Sequence, residues 1–240
     1  MKMATKTVLV TGANRGIGRA LVEEALGRGV QRVYAGTRGP LQHSDRRVTP
    51  LTLDVTKAAQ IQRAVGEIEN LDVLINNAGI VIYDDLSKPE VIEQHLAVNL
   101  FGTLNLTRAL LPLLKRSKGA IVNNLSTVAL AALPVIPGYS ISKAAGLSMT
   151  QSLRALLTAQ GVTVHAVLTG PVDTDMNRGF DIPKASPASA ASAIFDGLER
   201  GEEEIFPDPV SQSIAEGWRK GVAKALERQM SAFVPETVAL

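Results

Sequence analysis

Three glycines in seven positions fix how this chain begins. Thr7-Val8-Leu9-Val10 is a short β-branched and apolar run, the pattern of a buried strand. It leads into Thr11-Gly12-Ala13-Asn14-Arg15-Gly16-Ile17-Gly18. Beyond it, Arg19 to Arg28 carries helical periodicity (Ala20, Leu21, Ala25, Leu26), with Gly27 and Gly29 bracketing its end. Glycine lets a backbone turn tightly and approach a ligand with no Cβ in the way. The helix start offers free N–H groups and a positive dipole end to a phosphate. The spacing is G-x-x-x-G-x-G, not the G-x-G-x-x-G of the common dinucleotide fingerprint. A plain tight βα turn is the bland alternative, but strand, glycines and helix together favour nucleotide binding.

The same alternation continues. Strands are expected at Arg32–Thr37, Val48–Leu53, Leu71–Ile75, Ala120–Asn124, Thr163–Leu168 and Glu203–Phe206. Helices are expected at about 56–68, 89–96, 99–114, 137–159, 187–200 and 211–230, with 231–240 undecided. This predicts a single-domain, Rossmann-like, doubly wound parallel α/β sheet of about seven strands, with helices on both faces. Such sheets bind ligands at the carboxyl ends of their strands. Gly12, Asn76, Ser126 and Gly170 all lie at such ends.

Tyr139-Ser140-Ile141-Ser142-Lys143 opens the helix after strand five. A tyrosine and a lysine four apart lie on one helix face. An ammonium beside a phenol favours the phenolate and lowers its pKa, so the pair can pass a proton near neutral pH. One such match means little; a place at the crevice edge gives it weight.

In NAD-binding folds an acid near the end of the second strand bonds the ribose 2′-hydroxyl. Here that place holds Ala35, Gly36, Thr37 and Arg38. Arg15 and Arg38 suit a 2′-phosphate, so NADP(H) is expected over NAD(H). Asp54, followed by Val55, can accept from an adenine amino group or N-cap the next helix. Asn76-Asn77-Ala78-Gly79 suits a close pass of backbone against a flat ligand, although asparagine can equally bond strand-end backbone.

The balance of 25 basic and 23 acidic residues gives a net charge of +2 with no like-charge block, so no nucleic-acid surface is indicated. Glu202 to Glu204 read as a solvated turn. The absence of cysteine excludes disulfides and thiolate metal sites. No histidine or carboxylate spacing suggests a metal, and His43, His95 and His165 are read as structural, away from the crevice. With no signal-like start and no uncharged apolar run of about 18 residues, the expectation is a cytoplasmic protein without a membrane span. Trp218 is read as packing or a subunit contact.

Taken together, these residues resemble the short-chain dehydrogenase/reductase family over about residues 5 to 206. The resemblance rests on the Thr11–Gly18 turn, Asn76-Asn77-Ala78-Gly79, Asn99 within Val98-Asn99-Leu100-Phe101-Gly102, Ser126, Tyr139 with Lys143, and Gly170-Pro171 followed by Thr174. The family more often shows Pro-Gly at the last, so the order here is a departure. The resemblance implies an oxidoreductase with Tyr139 as general acid/base and Lys143 lowering its pKa and holding the nicotinamide ribose. It further implies that Ser126 bonds the substrate oxygen and Asn99 holds a relay water. It assigns Gly12, Asn14, Arg15, Gly16, Ile17 and Gly18 to the cofactor, with Thr37 and Arg38 at the 2′-phosphate. Asp54, Val55, Asn77, Ala78 and Gly79 line its adenosine and central parts, and Pro171, Val172 and Thr174 its nicotinamide end. It also implies a homodimer or homotetramer through the helices at about 99–114 and 138–159.

The apolar stretch after Ser126, with Val128 and Leu133, is expected to line the substrate pocket, covered by Met176 and Phe180. That favours an apolar or aromatic ketone or aldehyde, reduced reversibly to an alcohol. A 3-oxoacyl-thioester reductase is the alternative within the class. A non-catalytic NADP-binding sensor or scaffold is the alternative outside it.

Overall fold

The computed structural model describes residues 1–179 and 181–235. Phe180, expected over the pocket, and residues 236–240 of the tail lie outside the described residues. Seven strands form one parallel sheet: β1 (Thr7–Thr11), β2 (Arg32–Thr37), β3 (Val48–Thr52), β4 (Val73–Asn76), β5 (Ala120–Asn124), β6 (Thr163–Val167) and β7 (Glu204–Ile205). Their order is β3-β2-β1-β4-β5-β6-β7. Successive side chains face opposite ways. Val8, Val10, Val73 and Ile75 pack beneath α1 (Gly16–Gly27) and α6 (Pro187–Arg200). Leu9, Leu74 and Ile121 pack beneath α2 (Ala58–Glu67), α4 (Thr103–Ser117) and α5 (Pro137–Thr158). This is the expected doubly wound sheet. The strand order reverses between β1 and β4, and the crevice opens there.

Several boundaries differ from expectation. Asp54 does not cap α2, whose N-cap is Lys57; it caps a local turn instead, accepting from Thr56 N at 2.9 Å and Thr56 Oγ1 at 2.7 Å. The helix expected from Asn99 begins as a π-helical stretch, Ala97–Gly102, between α3 (Pro89–Leu96) and α4. The whole run Pro89–Ser117 is long and apolar enough to cross a membrane by length and composition. In this fold its Leu106, Leu110, Leu111 and Leu114 pack into the core.

The expected C-terminal helix is broken at Gly221 into α7 (Pro209–Lys220) and α8 (Val222–Met230). Glu202 and Glu203 lie in a partly solvated turn, as expected, but Glu204 does not. Glu204 is 3% exposed, and Lys224 Nζ sits among Glu203, Glu204 and Glu227 at 2.7, 2.9 and 3.0 Å. These carboxylates approach one another as cation ligands do, but the ammonium fills their centre, and Arg154 pairs with Glu204 and Glu227. The cluster pins α8 to the sheet edge.

Candidate active site

A cavity of about 1060 Å³ runs along the carboxyl ends of the strands. One end is the glycine turn. Gly12 and Gly16 adopt φ of +64° and +52°, a region L side chains rarely enter. At Gly18 a Cβ would fall 2.0 Å from the carbonyl oxygen of Gly12, so the backbone can close there only around glycine. The α1 N-terminus has no side-chain cap, and its N-cap residue Arg15 is extended. Its first N–H groups are therefore available to an anion. A Cβ at Gly16 would reach the Thr174 methyl at 3.1 Å, so glycine keeps the turn open there, and an open turn over free N–H groups suits a dinucleotide pyrophosphate.

Asn14, Arg15, Ile17, Thr37, Arg38, Asp54 and Val55 also line this end. Arg15 reaches across to Asp175 at 3.2 Å. The Thr37 hydroxyl donates to the carbonyl of Gly39 at 2.6 Å, so its proton shapes the loop that carries Arg38. The Thr56 hydroxyl, with Arg38 and Lys57 nearby, holds the Asp54 carboxyl below the usual carboxylate range.

Asn77, Ala78 and Gly79 line the middle. Asn77 Nδ2 donates to the carbonyl of Thr11 at 2.9 Å, and the N–H groups of Asn77 and Ala78 donate to Thr11 Oγ1. Asn77 thus ties β4 to β1, the strand-end role the sequence left open.

At the far end Ser126, Tyr139 and Lys143 meet. Ser126 accepts from Val128 N at 3.3 Å, and its hydroxyl exerts a downward pull on the pKa of the neighbouring Tyr139 phenol. Lys143 Nζ lies 5.4 Å from the centre of the Tyr139 ring and donates to the carbonyl of Asn124 at 2.9 Å. Tyr139 and Lys143 are 8% and 5% exposed. Burial pushes the Tyr139 phenol up to about 12, against a smaller downward pull from Ser126. Burial also pushes the Lys143 ammonium down to about 8. The expected lowering of the tyrosine by its lysine is thus absent in the ligand-free protein; desolvation outweighs the pairing for both groups.

This has a stability consequence. A lysine depressed from 10.5 to about 8 gives up its proton more readily folded than unfolded, so its contribution to stability rises with pH across that window. The full effect is about 3 kcal/mol at 1.36 kcal/mol per pKa unit. Tyr139, raised to about 12, stays protonated throughout. Denaturant titrations of the ligand-free protein near pH 8 and near pH 10 are expected to show wild type gaining stability relative to Lys143→Met. Identical changes in the two proteins would contradict the burial of a cation at this place.

Asn99 is 4% exposed and its side chain is fully engaged. Oδ1 accepts from Ile80 N at 2.9 Å, while Nδ2 donates to the carbonyl of Ile80 at 3.0 Å and to Ser142 Oγ at 2.9 Å. The residue clamps the loop after β4 onto α5 from within the π-helical stretch. Its main-chain carbonyl, with Thr103 Oγ1 at 3.3 Å, is the atom left to hold a water.

Three features escaped the sequence reading. Asn124 joins four walls of the site: its carbonyl accepts from Lys143, its Nδ2 donates to Asn77 Oδ1 at 2.9 Å, and its Oδ1 accepts from Thr169 Oγ1 at 2.7 Å. A polar residue closing an apolar strand was the available signal. His95 is not remote from the crevice: it is fully buried, its ring 6.1 Å from that of Tyr139, and Nε2 accepts from Ile82 N at 2.9 Å. The third feature is at Gly170, whose N–H donates to the buried Asp208 carboxylate at 2.7 Å, and where a Cβ would fall 2.4 Å from Asp208 Oδ1. Position 170 must therefore be glycine. The departure from Pro-Gly is better assigned to Thr169, whose bond to Asn124 proline could not make.

Pro171, Val172 and Thr174 line the cavity, with the Thr174 methyl against Gly16. Val128, Leu133 and Met176 line the other end of the cavity. So do Leu130, Ile182, Val210 and Ile214, the last two from α7, which no local pattern tied to the site.

A parallel sheet with a glycine cradle and an uncapped helix start at its switch point defines a dinucleotide-binding α/β protein. The chain belongs to the short-chain dehydrogenase family: the model of that family, described as "short chain dehydrogenase", matches residues 6–184. It is thus an oxidoreductase by family. Estradiol 17-beta-dehydrogenase 2 of Mus musculus is 34% identical over 194 residues, 74% of this chain and 51% of that protein. The chain thus spans about half the length of that relative. Short-chain dehydrogenase PC-15 of Penicillium crustosum is 39% identical over 190 residues, 72% of this chain and 68% of that one. Among solved structures, a short chain dehydrogenase from Burkholderia cenocepacia J2315 in complex with NADP superposes with TM-score 0.87. It is 39% identical and covers 98% of this chain and 100% of its own.

Proposed function

We propose that the protein is an NADPH-dependent carbonyl reductase for apolar or aromatic ketones or aldehydes, reversible as an alcohol dehydrogenase. The observation that carries this reading is the meeting of Ser126 with the buried Tyr139 and Lys143, between the glycine cradle and an apolar pocket end. The cofactor is NADP(H). Arg15 and Arg38 at the cradle, no acid at the end of β2, and the NADP bound by the Burkholderia relative support it. Gly12, Gly16 and Gly18 would hold its pyrophosphate, and Lys143 its nicotinamide ribose. When bound, it supplies a hydride to the carbonyl carbon.

The chain's own groups do the rest. Ser126 Oγ and the Tyr139 hydroxyl donate to the substrate oxygen, where negative charge develops. Tyr139 then gives that oxygen its proton, and the alcohol is complete. The Lys143 ammonium, beside the ring, stabilises the phenolate left behind. The phenolate is then reprotonated from solvent, through a water that the Asn99 carbonyl would hold. The apolar lining and the steroid-dehydrogenase relative put bulky, steroid-sized ketones in the test panel. Assembly as a homodimer or homotetramer through α4 and α5 belongs to the same reading; Phe101 and Ile141, 52% and 42% exposed, lie along these helical runs. The test is hydride delivery from NADPH to such a panel, with NADH as control.

A further inference from the structure

The substrate end of the cavity does not stop at the pocket wall. Leu130, Ser213 and Ile214 line the cavity and also line a second, open groove, so the two are continuous along one edge. Gly217, Trp218, Gly221, Val222 and Ala223 complete that groove, and among the described residues no charged side chain lines it. Trp218 forms a half-buried floor, packed against the cluster of Leu125, Leu147, Leu168 and Phe206. A Cβ at Gly217 would meet nothing within 4 Å apart from its chain neighbours, so the groove is open at that position. Ile214 and Val222, 40% and 85% exposed, present apolar surface along it.

The groove's position is fixed. Asp208 caps α7, accepting from Ser211 N at 3.0 Å, and the same carboxylate takes the Gly170 N–H. The helix carrying Ile214 and Trp218 is thereby locked to the loop at the nicotinamide end of the site.

We propose that this groove is a second subsite of the carbonyl site, which takes the distal apolar part of an elongated substrate, an alkyl chain or fused ring system. This rests on the carbonyl-reductase reading. A carbonyl held at Ser126 and Tyr139 would send its tail past Leu130 and Ile214 onto Trp218.

Two measurements test it. In a homologous series of methyl ketones, kcat/KM for wild type is expected to rise with chain length, by up to about fourfold per methylene while the tail is being buried. Gly217→Leu fills the open space. Val222→Asp puts a charge at the groove's end, where the first turn of α8 tolerates an acid. Each is expected to cut the long-over-short ratio of kcat/KM at least about tenfold. Ratios equal to wild type in both variants would overturn the subsite. Trp218 is the single tryptophan of the chain, which gives a readout independent of turnover. A methyl ketone brominated at its far end is expected to quench Trp218 emission in wild type, and less so in Gly217→Leu. No quenching would refute the subsite even if ketones are reduced. Quenching without reduction of any ketone would keep the subsite and reject the carbonyl chemistry. Trp218 emission that changes with protein concentration alone would show a second copy covering the groove, and would also overturn the proposal.

Discussion

Tyr139→Phe is expected to bind NADPH within about threefold of wild type and to lose about 10³-fold or more in kcat, the scale of a lost general acid. The substitution removes one oxygen and keeps the ring. That ring packs edge-on to His95 at 6.1 Å and lies 5.4 Å from Lys143 Nζ, so the walls of the site stay in place. What disappears is the proton destined for the carbonyl oxygen. Ser126 keeps its bond from Val128 N and can still donate to the substrate oxygen. A hydroxyl with an ordinary alcohol's acidity cannot replace a phenol as the acid, so the residual rate reflects positioning and the serine alone. Steady-state kinetics with a reactive ketone, together with a fluorescence titration of NADPH, separates the two effects. Turnover near wild type would remove Tyr139 from the chemistry.

Arg38→Asp is expected to lower the NADPH-over-NADH ratio of kcat/KM by about 10- to 100-fold, mostly through KM. The scale is that of one or two charge-assisted hydrogen bonds. Arg38 is exposed at the mouth of the cradle, directly after buried Thr37, so the substitution costs the fold little. It replaces a partner for a 2′-phosphate with a carboxylate that repels it and can accept from a ribose hydroxyl. Asp54, which Arg38 helps keep ionised, then faces a second acid and sharpens the discrimination. Kinetics with both cofactors at one fixed ketone concentration checks it, and an unchanged ratio would show that Arg38 does not read the phosphate.

Features set by short-range sterics were legible in the sequence. The three glycines could be read because tight turns and close backbone approach demand them locally, and the structure gives the reason as a 2.0 Å conflict at Gly18. Tyr139 and Lys143 could be paired because helix spacing alone puts them on one face. Most of the strands were found because they are short runs rich in β-branched and apolar residues, and β2 and β5 carry the expected limits. What stayed hidden depends on distant partners. Asn124 bonds to Asn77 and Thr169, and Asp208 bonds to Gly170 across 38 residues. No periodicity announces such a bond. His95 and α7 reach the site only through packing of the whole chain. The acidity of Tyr139 in the ligand-free protein differs from expectation for a related reason: pairing can be read from spacing, but desolvation requires knowing what closes over the pair.

The central claim is that this site moves a hydride from NADPH to a carbonyl carbon while Tyr139 protonates the oxygen. The most direct test supplies NADPH deuterated at the transferable nicotinamide position, with an apolar ketone panel that includes a steroid-sized member. Mass spectrometry then locates the label in the product. The account predicts one deuterium on the carbinol carbon of the alcohol, formed by wild type and not measurably by Tyr139→Phe. Alcohol that carries no label, or no reduction of any ketone or aldehyde by a protein that binds NADPH, would contradict it.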